Sequence, residues 1–293
     1  MAAVEASICG RGLQAVPAFT IPFERVKRTM SGDEVMILMV SIGVAAFAWF
    51  WWYAAVRVRM LVVRNAGRSI FIAGPIACLL MLLLVLRWWA ADDVRESGTY
   101  LTFYTVMGAA WVGFCSLWLS LLGVRPRDDV IERQNLAAAF ATAGALGGIT
   151  FSFAGANVGN GPGWWVVVFS ASLSSLAFFG LWALFEWLTG ISESVTVERS
   201  GGAGLRLGGF LAATGIILGR AVAGDWVSAR ATVQDFAALA WPVLPLAVLA
   251  VLIERLRLSD ADAHDGGSFA GFFVAAVYLT VACLYVFVWQ GKP

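Results

Sequence analysis

The sequence has few of the side chains on which metal and redox sites depend. It contains one histidine, His264, and four cysteines with no CxxC spacing. Zinc and thiol redox sites need several such ligands close together, so the sequence predicts no metal site and no cofactor. Loop 260–265 holds His264 and three aspartates, but it lacks the glycine and closing glutamate of a calcium loop and is predicted to be a solvated turn. Cys78, Cys115 and Cys283 fall in apolar runs and are interpreted as small core residues.

Catalytic signatures and surface charge are scarce as well. The hydrolase, zinc-protease and phosphate-loop patterns GxSxG, HExxH and GxxxxGK[ST] do not occur. Only 13% of residues are charged, the net charge is +1, and the basic residues are dispersed in short loops, which argues against binding to nucleic acid. No catalytic residue is predicted, and an enzyme embedded in the membrane has no support.

What the chain has in abundance is apolar sequence. Of its 293 residues 60% are hydrophobic, and the mean hydropathy is +0.80. This is more apolar surface than one water-facing core can bury, so the lipid bilayer is the predicted partner. A crossing helix needs about 20 mainly apolar residues. Charges and Gly/Pro clusters divide the chain into eight such spans of an all-α transmembrane bundle: 35–56, 69–89, 99–122, 135–156, 163–188, 202–223, 236–253 and 267–289.

One division falls inside a stretch with no charged residue, 134–185, which is too long for a single crossing. Segment 157–163 contains three glycines, two asparagines and a proline, which favour a turn. Irregular backbone facing lipid would leave its polar groups unsatisfied, so we place this turn at a membrane surface. Trp164 and Trp165 follow it and fit an interfacial aromatic belt.

The distribution of arginine predicts the orientation. The loops after spans one, three, five and seven, with the adjoining helix ends, hold Arg57, Arg59, Arg64, Arg68, Arg125, Arg127, Arg133, Arg199, Arg206, Arg255 and Arg257. The opposite loops and the C-terminus hold Arg87, Arg95, Arg220, Arg230 and Lys292. The arginine-rich loops are therefore expected in the cytoplasm. Both termini would then face outward, which the four basic residues before Met30 oppose and a start at Met30 would reconcile.

Related tripeptides suggest an internal repeat. Three arginine-rich loops contain Ile131-Glu132-Arg133, Val197-Glu198-Arg199 and Ile253-Glu254-Arg255, the first two offset by 66 residues. This favours four two-helix hairpins related as parallel repeats, although coincidence of Glu-Arg at helix ends is the alternative. The chain then divides into a tail (1–34), a first hairpin (35–98), a central unit of two hairpins (99–226) and a last hairpin (227–293).

Small residues form stripes on two of the spans. In the span that begins at Asn135, small residues recur every four positions at Ala137, Ala141 and Ala145 and again at Gly144 and Gly148. In the span that begins at Gly202 they do so at Gly204 and Gly208 and at Gly215 and Gly219. Such stripes let two helix backbones approach closely. The pattern does not decide between packing within one chain and packing in a homo-oligomer.

Among the ionisable residues within predicted spans, where exposing a charge to lipid is costly, Glu186, Arg206 and Arg220 stand out. Glu186 and Arg206 are expected at similar depth on consecutive antiparallel helices and could pair, either as a structural contact or as part of an ion pathway. Arg220 is expected near the outer surface with Asp225, Asp92, Asp93 or Glu96 as partner.

Hydroxyl groups and prolines also fall within spans. Ser170, Ser172, Ser174 and Ser175, with Thr142, Thr150 and Ser152 on the preceding span, either bond to their own helix or line a pore. Pro75, Pro242 and Pro245 are expected to bend their helices.

The segment around residues 131–139 resembles the YjfL-like family of small bacterial inner-membrane proteins. Arg133, Asn135 and Ala137 to Ala139 match the family's charged loop and alanine-rich helix start, and Arg199 with Gly201 and Ala203 stands where a second hairpin would begin. Leu136 replaces the usual valine, and the turn at 157–163 is not typical of the family. The resemblance covers about residues 100–226 and implies a bacterial inner-membrane location, without a defined activity.

Two functions fit these observations. The first is a membrane protein that forms or regulates a pathway for a small ion or solute, through the glycine-rich helices and near Glu186, Arg206 and Arg220. The second is a scaffold or sensor subunit whose basic loops bind a cytoplasmic partner or anionic lipid.

Overall fold

The computed structural model describes residues 30–57, 66–257 and 267–289, and all regular structure in these ranges is helical. The helices are α1 (Gly32–Arg57), α2 (Ala66–Trp89), α3 (Asp92–Glu96), α4 (Gly98–Ser116), α5 (Leu136–Gly155), α6 (Trp164–Thr189), α7 (Ile191–Thr196), α8 (Gly201–Val222), α9 (Ala229–Ala240), α10 (Val243–Arg257) and α11 (Gly267–Trp289). A 3-10 helix (Leu117–Leu122) extends α4, and a π-helix (Pro126–Glu132) precedes α5. The predictions for residues 1–29, Arg59, Arg64, loop 260–265 and Lys292 lie outside the described residues.

The predicted multi-pass membrane protein is confirmed. Among the described residues, seven helices are long and apolar enough to cross a bilayer; α9 and α10, bent by 42° relative to each other, add an eighth span if the pair crosses as one. The bend lies at Trp241 and Pro242, where proline removes a backbone donor, so the kink predicted there is confirmed. Helix α2, by contrast, continues through Pro75.

The first helix follows a reciprocal cap. Ser31 N–H donates to Glu34 Oε2 at 2.8 Å, and Glu34 N–H donates to Ser31 Oγ at 3.2 Å, which satisfies two amides that the first turn leaves without helical partners. At the other predicted break, α5 ends at Gly155 and α6 begins at Trp164, so the turn predicted at 157–163 is confirmed. The short helices α3 and α7 were not predicted.

The spans form hairpins whose second helices lie side by side. Helix α2 packs on α5, α5 on α8, and α8 on α11, while the first helices α1, α4, α6 and α10 flank this row. Because spans alternate in direction, the helices of the row run parallel to one another. Residues near the same level meet along it, for example Gly74 with Leu146 and Gly209 with Ala275.

The two central hairpins also correspond in detail, at an offset of 65 residues. Polar N-caps begin α5 at Asn135 and α8 at Ser200. Each cap follows a residue with positive φ, Gln134 at 54° and Arg199 at 57°. The parallel repeat stays a prediction, which this correspondence supports.

Helices α5 and α8 are joined by the glycine seam, the line of small-residue contacts from Ala137 and Gly204 to Gly155 and Gly219. A methyl group at Gly144 would overlap the backbone of Gly208, and one at Gly215 would overlap the backbone of Gly148. The predicted stripes therefore pack against each other within one chain. Because lipid provides little hydrophobic drive for helix association, this close contact is what holds the two helices together.

The cysteine interpretation is confirmed for Cys78 and Cys115, which are buried, and is wrong for Cys283, which is exposed. Cys283 lies on α11, the last helix of the row, which has a neighbour in the row on one side only.

Candidate functional site

A polar cavity of about 50 Å³ opens at one end of the bundle, which we call the cavity end. It lies among α3, the loop after α5, the start of α6, and the segment that joins α8 to α9. Its polar lining side chains are Asp93, Tyr104, Asn157, Asn160, Ser170 and Thr232. At about 10–15 Å³ for each water position, the cavity has room for about three to five water-sized groups.

Two loops form the mouth of the cavity and are hydrogen-bonded to each other. Gly224 N–H donates to the Val158 carbonyl and Trp226 N–H to the Asn160 carbonyl, both at 2.8 Å. Asp225 Oδ1 accepts from the backbone N–H of Asn160 at 2.6 Å and from its Nδ2 at 3.0 Å. This doubly bonded carboxylate fastens the two loops.

The turns in these loops require glycine. Gly159 has a φ of 114° and Gly224 a φ of 152°, which L side chains rarely adopt. A side chain at Gly159 would also overlap the Gly224 carbonyl. The glycines therefore allow the two loops to approach closely enough for their backbone bonds.

The floor of the cavity is formed by Asn157 and Ser170, which are 5% and 3% exposed. Asn157 Nδ2 donates to the Phe153 carbonyl at 2.8 Å, which fixes the orientation of its amide. Its Oδ1 is buried and accepts no hydrogen bond from the described residues. A buried acceptor without a donor is costly.

Further buried hydroxyls continue from the floor toward the middle of the bundle. Gly148, Leu211 and Phe178 meet at one level, because a Cβ at Gly148 would contact both of the others at 2.6 Å. One helical turn nearer the cavity lie Ser152 on α5, Ser174 on α6 and Thr214 on α8, which we call the polar column. All three are fully buried, and their Oγ atoms lack hydrogen-bond partners within the described residues.

Thr142, earlier on α5, is also buried and its Oγ1 lacks a partner within the described residues, whereas three other hydroxyls are hydrogen-bonded. Thr150 and Ser172 donate to the carbonyls of Leu146 and Val168, each at 2.7 Å, so for these two the local bonding predicted from the sequence is confirmed. Ser175 accepts from Trp111 Nε1 at 3.1 Å.

Aromatic side chains close the far side of the polar column. Phe178, Trp182 and Phe185 continue the buried stripe of α6 beyond Ser174. Phe178 packs on Trp182 with centroids 6.2 Å apart, and Phe185 on Phe210 at 4.6 Å. Phe210 then packs on Tyr278 at 6.3 Å. These five residues, the aromatic barrier, separate the polar column from the opposite end of the bundle, which we call the arginine-rich end.

The ion pair at the arginine-rich end differs from the one predicted. Arg206 forms a two-pronged pair with Glu254 of α10, in which Nε donates to Oε1 and NH2 donates to Oε2 at 2.7 Å. Both side chains are nearly buried. Glu186 instead accepts from the Ser192 hydroxyl at 2.5 Å and from its backbone N–H at 3.1 Å. The predicted Glu186–Arg206 pair is therefore wrong, because each group has a partner on another segment.

For two of the carboxylates predicted as partners of Arg220, Asp225 and Asp92, the structure gives other partners. Arg220 NH1 donates to the Ala223 carbonyl at 3.3 Å, three residues further along. Asp225 is bonded to Asn160, and Asp92 pairs with Arg95. Arg220 thus caps the end of α8.

Asn135 and the predicted glycines have structural positions. Asn135 Oδ1 accepts from the amides of Ala137 and Ala138, and its Nδ2 donates to the Val195 carbonyl at 2.7 Å, which ties α5 to α7. Gly144, Gly148, Gly215 and Gly219 all belong to the glycine seam. Backbones touch along this seam, and the buried polar groups lie beside it, next to α6. A pathway near the glycine-rich helices stays a prediction.

Sequence reasoning missed Asn157, Tyr104 and Glu254 as site or pairing residues. A signal was present for two of them: Asn157 is the first residue of the predicted turn, and Glu254 belongs to the third related tripeptide. Tyr104 had none, because an aromatic residue in an apolar span resembles any other core residue.

Comparison with known proteins finds no family model, no curated protein and no solved structure that matches the chain. The YjfL-like resemblance therefore stays a prediction.

Proposed function

We propose that this multi-pass membrane protein provides a pathway for a small ion or small polar solute, which enters at the cavity end. The observation that carries the proposal is the run of buried polar groups from Asn157 and Ser170 to the polar column, where the hydroxyls lack protein partners. Buried polar groups in a membrane bundle are normally satisfied, so unsatisfied ones leading inward from a cavity favour a hydrated or ligand-bound route.

The aromatic barrier makes the described conformation the closed one in this proposal. From Ser170 to Phe178 is 8 residues along α6, or about 12 Å at 1.5 Å per residue, so the polar part covers roughly two-fifths of a bilayer core of about 30 Å. Hydrophobic constrictions stop ions by excluding water. Opening then requires movement of Phe178, which seals the inner limit of the polar column.

The location belongs to the same proposal. The resemblance described above favours a bacterial inner membrane, and the arginine distribution favours a cytoplasmic position for the arginine-rich end. The cavity would then face the opposite compartment.

A flux assay on reconstituted protein tests the pathway. Purified full-length protein is placed in proteoliposomes and assayed with a panel of monovalent ions and small neutral solutes, with Phe178→Ala beside the wild type. Phe178→Ala is expected to raise flux because it removes the ring at the inner limit of the polar column. Phe179→Ala is the matched control. This neighbouring ring contacts Phe178, with centroids 5.4 Å apart, but it is only part-buried and packs on Trp118 at 6.0 Å.

Flux equal to that of empty vesicles in both the wild type and Phe178→Ala, with both proteins folded by size-exclusion chromatography, would reject the pathway. Equal increases for Phe178→Ala and Phe179→Ala would reject the assigned position of the barrier.

A second candidate function, binding of anionic lipid or a cytoplasmic partner, is favoured by two exposed arginines. Arg127 and Arg199 lie at the arginine-rich end, and neither forms an ion pair with the described residues. Each such cation near an anionic membrane surface contributes about 1 kcal/mol of attraction. Reversing both charges should abolish a stable association in pull-down from membranes or with anionic vesicles; unchanged association would count against this function.

A further inference from the structure

We infer that the buried ion pair of Arg206 and Glu254 is a second gate of the pathway and closes it at the arginine-rich end. This inference rests on the proposed function, because a gate requires a pathway. It goes further, since the proposed function places closure at the aromatic barrier and gives the ion pair no role.

Helix α8 carries the ion pair, the aromatic barrier and the polar column in succession. Arg206, Phe210 and Thr214 follow one another at four-residue spacing, and all three are buried. Residues at this spacing form one ridge of a helix. Because α8 begins at Gly201, directly after an arginine-rich loop, Arg206 lies on the arginine-rich side of Phe210. At 1.5 Å per residue it is about 12 Å from Thr214 along the axis, so a species that passes the barrier along α8 meets the ion pair next.

Helix α10 brings Glu254 to the same position. The buried face of α10 includes Val243, Leu246, Ala250 and Glu254, which are three or four residues apart and so lie on one side of the helix. Helix α10 contacts both α6 and α8, the two helices that provide four of the five residues of the aromatic barrier. The ion pair therefore joins α10 to α8 next to the barrier.

The stability of the bundle does not explain why this position is charged. The pair is two-pronged, with Arg206 Nε donating to Glu254 Oε1 and NH2 donating to Oε2 at 2.7 Å. Each residue is only 6% exposed, so both charges have lost most of their hydration. Apolar side chains of similar volume often hold two elements together as well or better, because they lose no hydration on burial.

Two charges suit a gate because they are stabilised in both of its states. In the closed state each charge is satisfied by the other. When water enters the open pathway, both groups recover hydration, which offsets the attraction that is lost. Apolar side chains gain no such compensation from water, so they would hold α8 and α10 together in either state. Ionisable residues inside membrane bundles commonly mark ion pathways.

Flux through two gates in series tests this inference. Arg206→Gln and Glu254→Gln are introduced together into Phe178→Ala and compared with Phe178→Ala alone in the proteoliposome assay. The two substitutions remove both charges, so neither charge stays buried without a partner. Flux is expected to rise about tenfold or more above that of Phe178→Ala, because attraction between two desolvated charges no longer opposes opening.

A second neutral pair tests the gate independently. Arg206→Cys and Glu254→Cys are combined with Phe178→Ala in a background without native cysteines. The reduced protein is expected to show the same rise in flux. Linking the two thiols with a short bifunctional maleimide should abolish that rise, because α8 and α10 can then no longer separate. A purely structural ion pair predicts no effect of the link on flux.

Two controls separate the ion pair from its surroundings, both in the Phe178→Ala background. Arg206→Glu with Glu254→Arg exchanges the charges and retains their attraction, so flux should stay near that of Phe178→Ala. Arg255→Gln removes a positive charge from the adjacent, exposed residue and should leave flux unchanged.

The outcomes distinguish the gate from the pathway. Equal flux in Phe178→Ala with and without the neutral pairs, in both cases above that of empty vesicles, would overturn the gate and leave the pathway standing. A rise with Arg255→Gln equal to that with the neutral pairs would also overturn the gate, since any cation at this end would then have the same effect. No flux above empty vesicles in any of these variants, all folded by size-exclusion chromatography, would reject both.

Discussion

A single methyl group at Gly148 tests whether the glycine seam holds the bundle together. In Gly148→Ala the new Cβ would lie 2.6 Å from the Leu211 carbonyl oxygen on α8 and 2.6 Å from Phe178 Cε2. Ordinary contacts begin at 3.4 Å, so about 0.8 Å must be gained. The phenyl ring can turn aside, but the carbonyl moves only if α8 moves away from α5.

The adjacent residue supplies the comparison from which the magnitude follows. Gly147 is on the same helix, and a Cβ there has no neighbour within 4 Å. Both substitutions gain the same helix propensity, so the difference between them isolates the overlap. Overpacking costs about 1–3 kcal/mol, which predicts an unfolding equilibrium constant about 5- to 150-fold larger for Gly148→Ala than for Gly147→Ala.

Reversible unfolding in mixed detergent micelles, followed by tryptophan fluorescence, measures this difference. Gly215→Ala, whose methyl group would meet the Gly148 backbone from the other side, should behave like Gly148→Ala. Equal stabilities of Gly147→Ala, Gly148→Ala and Gly215→Ala would refute the reasoning, because close backbone contact between α5 and α8 would then contribute nothing.

Other predictions address the remaining contacts. Arg206→Met should destabilise the protein by about 3–5 kcal/mol, because it leaves the buried Glu254 carboxylate unpaired. Adding Glu254→Leu should restore most of the lost stability. A double variant no more stable than Arg206→Met would contradict this prediction. Asn135→Ala should lower the free energy of unfolding by about 2 kcal/mol or more in the same assay, since it removes two cap bonds and the buried bond to α7. Ser200→Ala, which removes one cap bond, is the comparison, and an effect of Asn135→Ala no larger than that of Ser200→Ala would contradict the prediction. For orientation, a cysteine at Pro162 in a background without native cysteines should react with an impermeant maleimide from outside intact cells, while one at Arg127 should react only after permeabilisation; the reverse pattern would invert the topology.

The sequence was sufficient for features that depend on local chemistry. Lengths of apolar sequence predict spans because the hydrocarbon core has a fixed thickness. The turn at 157–163 and the bend at Pro242 were predictable because glycine, asparagine and proline restrict the backbone wherever they occur. The stripes containing Gly144 and Gly215 predicted close helix contact for the same local reason.

Partner choice between distant segments was not predictable from the sequence. Glu186 and Arg206 were expected to pair from their depth alone, yet depth does not specify which face of a helix a side chain occupies or which helix lies opposite. Helix α10 brings Glu254 to Arg206 from 48 residues away, and the loop after α5 brings Asn160 to Asp225 from 65 residues away.

The sequence by itself thus determined that the chain is an all-α multi-pass membrane protein, and it located the small-residue stripes and the glycine-rich turn. The tertiary structure decided that the stripes close on each other within one chain, and that unsatisfied polar groups gather beside the seam at the cavity end. The physical reason is that composition and periodicity measure how each segment interacts with lipid and with its own backbone. A cavity, in contrast, is defined by the side chains of several helices at once, such as Asn157, Ser170 and Tyr104, and exists only when these helices are packed.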